Sequence, residues 1–202
     1  MRIVAGEFRG RTLRTVEASG YRPATGRVRE ALFSMLEARG LAWPECSVLD
    51  LFAGSGSLAF ESASRGARQI CLVENSARAV QCLEQNAANL GLSAPRCRIV
   101  REDVLRLLAR RSRQAPEKPE ERFDVVFMDP PYGMNLVPGA LQALVRGRWL
   151  ATEAFVLAEV EAQVRINAAS YEELACVSSR EYGQTRILLW QAQSCRVAVH
   201  SA

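Results

Sequence analysis

The sequence predicts an α/β fold. A mostly parallel twisted sheet carries helices on both faces, closes with a C-terminal antiparallel hairpin, and follows a basic β-arm and helix. Three observations predict it. From Cys46 onward, short apolar runs alternate with helix-periodic segments, as when parallel strands are joined by helical crossovers. Val48-Leu49-Asp50-Leu51-Phe52 leads through Ala53 into Gly54-Ser55-Gly56-Ser57-Leu58-Ala59, a turn of the G-x-G-x-x-G/A kind that opens a helix. Two late apolar runs, Leu174–Glu181 and Thr185–Trp190, flank Tyr182-Gly183-Gln184 in the manner of a hairpin.

The arm comes first. Arg2-Ile3-Val4-Ala5-Gly6 and Arg9-Gly10-Arg11-Thr12-Leu13 are two β-prone pieces around glycines. After a turn at Tyr21-Arg22-Pro23-Ala24, Thr25 is placed to cap an amphipathic helix carrying Val28, Ala31, Leu32, Met35 and Leu36, which Gly40 ends. Strands are then predicted over 46–52, 69–74, 96–101 and 123–128, and helices over 57–65, 77–90 and 103–110. Ser112 to Arg122 is polar, with Pro116 and Pro119, and reads as an exposed loop. Asn135 to Gly147 reads as a helix and Phe155 to Val160 as a fifth strand. The organisation expected is an extension over 1–42, a main domain over 43–191 and a tail over 192–202.

Composition excludes several classes. With 202 residues and 49% apolar content, the chain can bury one sizeable core. It holds no apolar run near the roughly 20 residues of a membrane span and opens without a signal-peptide core, so a cytoplasmic, membrane-free protein is expected. Six cysteines accompany one histidine, His200, with no C-x-x-C spacing; no metal site is expected, several of the cysteines sit in apolar runs and read as small core residues, and Cys195 in the polar tail reads as the exposed thiol. Net charge is +4, but Arg2, Arg9, Arg11, Arg14, Arg22, Arg27 and Arg29 face only Glu7 and Glu17 in the first 29 residues. A basic arm ahead of a near-neutral domain points to a polyanion partner.

Acids mark the strand ends. Asp50 precedes the glycine turn, and Glu74 closes the next strand 18 residues beyond Gly56, a spacing that suits a ribose-binding carboxylate. Asp129-Pro130-Pro131-Tyr132 follows the apolar run Val125-Val126-Phe127-Met128. Two prolines can neither extend a ladder nor donate hydrogen bonds, so they hold a rigid loop whose carbonyls remain acceptors. Ser55 has no histidine to activate it, and Trp43, Trp149 and Trp190 read as packing residues.

Together these features resemble the Rossmann-like class I S-adenosylmethionine-dependent methyltransferases that act on exocyclic amines. Arg2-Ile3-Val4-Ala5-Gly6, Arg9-Gly10-Arg11, the run from Arg22-Pro23-Ala24-Thr25-Gly26-Arg27 to Phe33, and Tyr182-Gly183-Gln184-Thr185 are similar to the bacterial 16S ribosomal RNA guanine-N2 methyltransferase family (RsmD type) over about residues 1–190. Ala24 departs from the threonine usual there, and the 112–122 loop is longer than the family's.

The resemblance implies S-adenosylmethionine as cofactor, held by Asp50, Phe52, Ala53, Gly54, Gly56, Glu74, Asp103 and Val104, with Asp103 alternatively capping the following helix. It implies that Asp129 and the Pro130 carbonyl accept the target amine's hydrogens and that Tyr132 stacks on an extruded base. Arg9, Arg11, Arg22, Arg27 and Arg29 would contact RNA. The implied partner is 16S rRNA in a partly assembled small subunit, met by a monomer. A DNA adenine-N6 methyltransferase and a non-catalytic RNA-binding assembly factor stand as alternatives. The first usually needs a separate recognition region, for which little chain remains; the second fits poorly with intact Asp50, Gly54, Gly56, Glu74 and Asp129.

Overall fold

Five apolar runs form the parallel part of one sheet: β1 (Ser47–Leu51), β2 (Gln69–Glu74), β3 (Cys97–Arg101), β4 (Phe123–Met128) and β5 (Leu150–Glu161). The hairpin adds β6 (Leu174–Tyr182) and β7 (Thr185–Ala192), both antiparallel pairings, in the order β3-β2-β1-β4-β5-β7-β6. The computed structural model describes residues 1–16, 26–111, 122–166 and 171–193. The anticipated turn at 21–24, the Thr25 cap, Arg22, the Arg27 side chain, most of the 112–122 loop, Cys195 and the tail from 194 lie outside them.

Strand alternation sends side chains to two faces, and each face has its own helices. Val48, Ile70, Leu72, Val125 and Phe127 pack with α1 (Gly26–Glu37), α2 (Ser57–Ser64) and α3 (Ala77–Leu90). Leu49, Leu51, Val73, Val126 and Met128 pack with α4 (Val104–Arg111) and α5 (Val137–Arg146). Phe33 of α1, Phe60 of α2 and Phe127 of β4 are fully buried on the first face; each contributes about 1.5–3 kcal/mol by leaving water. The Phe33 and Phe127 rings lie 5.9 Å apart, so α1 docks directly on the sheet's middle. Trp43, Trp149 and Trp190 are buried, as their packing role requires, and so are Cys46, Cys71, Cys82 and Cys97.

The elements have local causes. α3 begins where the Ser76 side chain accepts the Ala79 amide and ends where Gly91 takes φ 73°, the left-handed conformation that closes a helix. α5 starts at Val137 rather than Asn135, because Asn135 itself has φ 46° and Pro138 opens the first turn. β5 begins five residues earlier and ends one later than its apolar heart suggests, running from Leu150 to Glu161 rather than Phe155 to Val160. A register shift against Phe123/Val125 and a φ of 59° at Glu153 interrupt the alternation there.

The basic arm shares the core of the first face. Arg2 and Thr12 form an antiparallel bridge, while Ile3, Phe8 and Leu13 are buried in the cluster that holds Leu32, Phe33 and Leu36. Glu61 of α2, wholly buried, accepts the amides of Val4 at 2.7 Å and Ala5 at 3.0 Å. The carbonyl of Ser64 accepts the Glu7 amide at 2.7 Å, and its hydroxyl accepts the Phe8 amide at 2.9 Å. Gly6 (φ 82°) makes this approach possible: a Cβ there would lie 1.8 Å from the Ser64 carbonyl oxygen. Arg29 corrects the expectation of a phosphate contact. It is 3% exposed and donates to the Arg2 carbonyl at 3.0 Å, tying arm to helix from inside.

Candidate active site

In an open parallel sheet the ligand crevice forms at the strands' carboxyl ends, where the connections diverge to opposite sides. Here that point lies between β1 and β4, since β2 and β3 extend the sheet one way and β4 and β5 the other. A cleft of about 390 Å³ opens there, within the range of small-ligand sites. Its walls combine the glycine turn (Phe52, Gly54, Ser55), the end of β2 (Glu74, Asn75, Ser76), the start of α4 (Glu102, Asp103, Val104) and the loop after β4 (Asp129, Pro130, Pro131, Tyr132). Val16 closes one side, so the arm reaches the site.

The glycine turn is held by acids from beneath and beside. Phe52 has φ 63°, Gly54 54° and Gly56 76°, three left-handed residues in five. Side chains rarely adopt this conformation, and such strain persists where the surroundings enforce it. Glu74 enforces it: one carboxylate oxygen accepts the Gly54 amide at 2.9 Å, and the other accepts the Asn75 and Ser76 amides at 2.8 and 2.9 Å. A Cβ at Gly56 would stand 2.5 Å from the Phe60 ring and 2.7 Å from Leu83, so the turn needs glycine for packing as well as for φ. Asp50, 3% exposed, accepts the Ala59 amide at 3.2 Å and so supplies an acid to the start of α2.

The residues anticipated from sequence therefore divide. Phe52, Gly54, Glu74, Asp103 and Val104 line the cleft, as do Asp129, Pro130 and Tyr132. Asp50, Ala53 and Gly56 instead build the turn, with the Ala53 amide bonded to the Val73 carbonyl at 3.0 Å. Asp103 accepts the Arg106 amide at 2.9 Å, capping α4, and it also lines the cleft. Glu102 lines the cleft and is bonded to Arg110. Arg9 and Arg11 are exposed on the arm, Arg11 donating to the Asn89 carbonyl. Sequence reasoning missed Glu61, Val16 and Glu159. Glu159 carries the signal that exposed Asp50, an acid inside an apolar strand: Leu157-Ala158-Glu159-Val160.

Charge tells what the cleft can hold. Glu74, Glu102, Asp103 and Asp129 line it, and among the described residues no lysine, arginine or histidine does. Such walls suit a cation and oppose a pyrophosphate, which wants basic groups and an open helix start. The Ser55 hydroxyl is buried there without a hydrogen-bond partner, which a polar ligand would supply. Burial pushes the Asp50 carboxyl up to about 8, against the pull of the Ala59 amide and with the help of Glu74's charge. Asp129 stands well above the usual carboxylate range because it is desolvated and faces Glu159 and Asp50. Desolvation raises Glu159 as well. No group of acids, cysteines or histidines suited to a metal occurs among the described residues.

A doubly wound sheet, a strained glycine turn braced by an acid from the second strand, and an acidic cleft ending in Asp129-Pro130-Pro131-Tyr132 define the class I S-adenosylmethionine-dependent methyltransferases. The family described as conserved hypothetical protein 95 matches residues 1–191. The ribosomal RNA small subunit methyltransferase D of Haemophilus influenzae is 37% identical over 161 residues, 80% of this chain and 79% of that one. Its Escherichia coli namesake is 36% identical over 163 residues, 81% and 76% of the two chains. The solved structure of Escherichia coli yhhF, described as a candidate methyltransferase, superposes with a TM-score of 0.77 at 31% identity, covering 96% of this chain and 98% of that one. This chain belongs to that family, the conserved hypothetical protein 95 or small-subunit methyltransferase D family.

Proposed function

We propose that this protein methylates ribosomal RNA from S-adenosylmethionine, and that its target is the exocyclic N2 amine of a guanine in small-subunit RNA within a partly assembled subunit. The relatives' names support ribosomal RNA as substrate. The observation that carries the reading is the continuity of one cleft from Phe52, Gly54, Glu74 and Asp103 to Asp129-Pro130-Pro131-Tyr132. The cofactor's holding residues and the amine's acceptors share a single cavity.

When bound, S-adenosylmethionine supplies a methyl group on a cationic sulfur. The residues present fit it: acids for its positive charges, the Gly54 turn for close backbone approach, and Glu74 and Asp103 for hydroxyl and amine donors. The rest of the chemistry belongs to the amine, whose lone pair is delocalised into the purine. The Asp129 carboxylate and the Pro130 carbonyl accept its two hydrogens and turn the nitrogen toward tetrahedral geometry. Asp129 positions and polarises; the alkylated nitrogen is cationic and gives up its proton readily. Tyr132, 37% exposed at the cleft's mouth, offers a ring face to the extruded base. Placement near the attack geometry supplies much of the acceleration.

Labelled methyl transfer to small-subunit particles lacking the modification, to free ribosomal RNA and to DNA, followed by nucleoside analysis, tests this reading. Labelled N2-methylguanosine from particles is the expected product. N6-methyladenine from DNA would instead establish the DNA enzyme, and no transfer to any acceptor would favour the assembly factor.

A further inference from the structure

The loop that ends in Tyr132 does not hold itself in place. The Tyr132 hydroxyl lies 3.2 Å from a Glu159 carboxylate oxygen, to which it donates, and 2.6 Å from the Thr185 hydroxyl. The next residue, Gly133, donates its amide to Glu161. Glu159 and Glu161 are two apart on β5 and therefore share a face. Across the ladder Glu161 pairs with Thr185, and Glu159 with Ile187. The base-facing loop is thus fastened to the junction of β5 and β7.

Glu159 is also part of a row. Glu74, Asp50 and Glu159 sit on β2, β1 and β5, and Asp129 directly follows β4, so four neighbouring strands of the order β2-β1-β4-β5 each present one acid. In register, Met128 pairs with Ala158, which brings Asp129 level with Glu159. Glu159 is 8% exposed, and it does not line the cleft. The titratable groups facing it are Asp129 on the sheet and Tyr132 on the loop. The nearest arginine on β7, Arg186, pairs with Val160, points to the opposite sheet face and donates to the Val164 carbonyl.

We propose that Glu159 is a positioning residue for methyl transfer: from behind the cleft it fixes Tyr132 through the hydroxyl, and from the next strand it sets a second buried carboxyl level with Asp129, so that its charge bears on how Asp129 accepts the amine's hydrogens. This deepens the proposed function and rests on that reading for its substrate. Two desolvated carboxyls side by side titrate as a pair, and neutralising one makes the other ionise more readily.

The test uses the full chain, three single variants, Glu159→Gln, Glu159→Ala and Tyr132→Phe, and the double variant that combines the last two. The first readout is carboxyl-carbon NMR titration of the unliganded protein, with Asp129 assigned from an Asp129→Asn spectrum. Glu159→Gln is expected to move the Asp129 midpoint down by about one pH unit. The second is kcat against pH on substrate particles. The acid limb should move down by a similar amount in Glu159→Gln, while Glu159→Ala and Tyr132→Phe each lower kcat about tenfold without changing cofactor affinity. Their effects should fail to multiply in the double variant, because both break one contact. An unmoved Asp129 midpoint with an unmoved acid limb overturns the electrostatic link to Asp129, and effects that multiply overturn the link through Tyr132. Glu159→Gln retains an acceptor for Tyr132 and keeps the test decisive if the alanine variant unfolds. Should wild type methylate no acceptor, the substrate reading falls while the NMR titration still decides the role of Glu159.

Discussion

The Glu74 carboxylate and the Gly54 amide lie 2.9 Å apart, joining the end of one strand to the turn after its neighbour. Glu74 thus stands at the cleft with one oxygen on the turn and the other on the amides of Asn75 and Ser76. Its place suits a ribose, but the acid also shapes the site before anything binds.

Glu74→Ala should therefore lose more than one ligand contact. Removing a hydrogen-bonded charge costs about 1.5–3 kcal/mol, and release of the Gly54 turn adds to it. Calorimetry should show at least about tenfold weaker S-adenosylmethionine binding, together with a lower melting temperature. Glu74→Gln, which keeps an acceptor for Gly54, should retain more stability than affinity. Unchanged affinity in a folded alanine variant would remove Glu74 from the ligand's contacts.

Asp129→Ala should separate turnover from binding. On the proposed function the glycine turn and Glu74 hold the cofactor without it, whereas the amine meets Asp129 chiefly in the transition state. Single-turnover transfer should fall about 10²–10³-fold, with cofactor and RNA affinities within a few-fold of wild type. Asp129→Asn, still an acceptor but uncharged, should fall less.

Asp50 makes stability depend on pH in a defined direction. Its carboxyl titrates near 8 in the folded chain, far above its ordinary value of 3.8. A raised acid contributes fully below the unfolded value, and that contribution fades as pH rises toward the folded one. The unliganded protein should lose stability between about pH 4 and pH 8. Asp50→Asn keeps an acceptor for the Ala59 amide without a charge, so it should melt progressively higher than wild type across that window, by up to a few kcal/mol of stability. Parallel melting curves for the two proteins would show that Asp50 ionises freely.

The arm is better probed by point substitution than by truncation, because Ile3, Phe8 and Leu13 belong to the core. Gly6→Ala places a methyl against the Ser64 carbonyl at a positive φ. It should cost about 1–3 kcal/mol or displace the arm, seen as faster cleavage at the arm's arginines under limited trypsin digestion. Arg9→Ala removes only an exposed charge. It should leave stability alone, weaken RNA binding and lower the salt slope by about one counterion. An Arg9→Ala slope equal to wild type would place the RNA elsewhere.

Local signals made most of this legible. The bounds of α3 were readable because Ser76 and Gly91 punctuate them chemically, and the cleft's glycine turn and Asp129 loop were readable because glycine and proline restrict backbone. What escaped depends on partners distant in sequence. Glu61 reads as a solvent-facing helix acid until the amides of Val4 and Ala5 are brought to it. Arg29 reads as an exposed base until the Arg2 carbonyl arrives. Glu159 was hidden differently: its strand was recognised, but the Tyr132 hydroxyl it receives comes from 27 residues earlier.

The order β5-β7-β6 also has a consequence for synthesis. β6 leaves the ribosome before β7, yet it borders only β7, and β7 is the strand that joins it to β5. A nascent chain ending between Asp129 and Thr185 has the glycine turn, Glu74 and Asp129 but lacks the hydroxyl that meets Tyr132. The walls of the cleft are encoded early and the last clasp on the Asp129–Tyr132 loop late, so a growing chain acquires the cleft before it acquires the final hold on the loop that borders it.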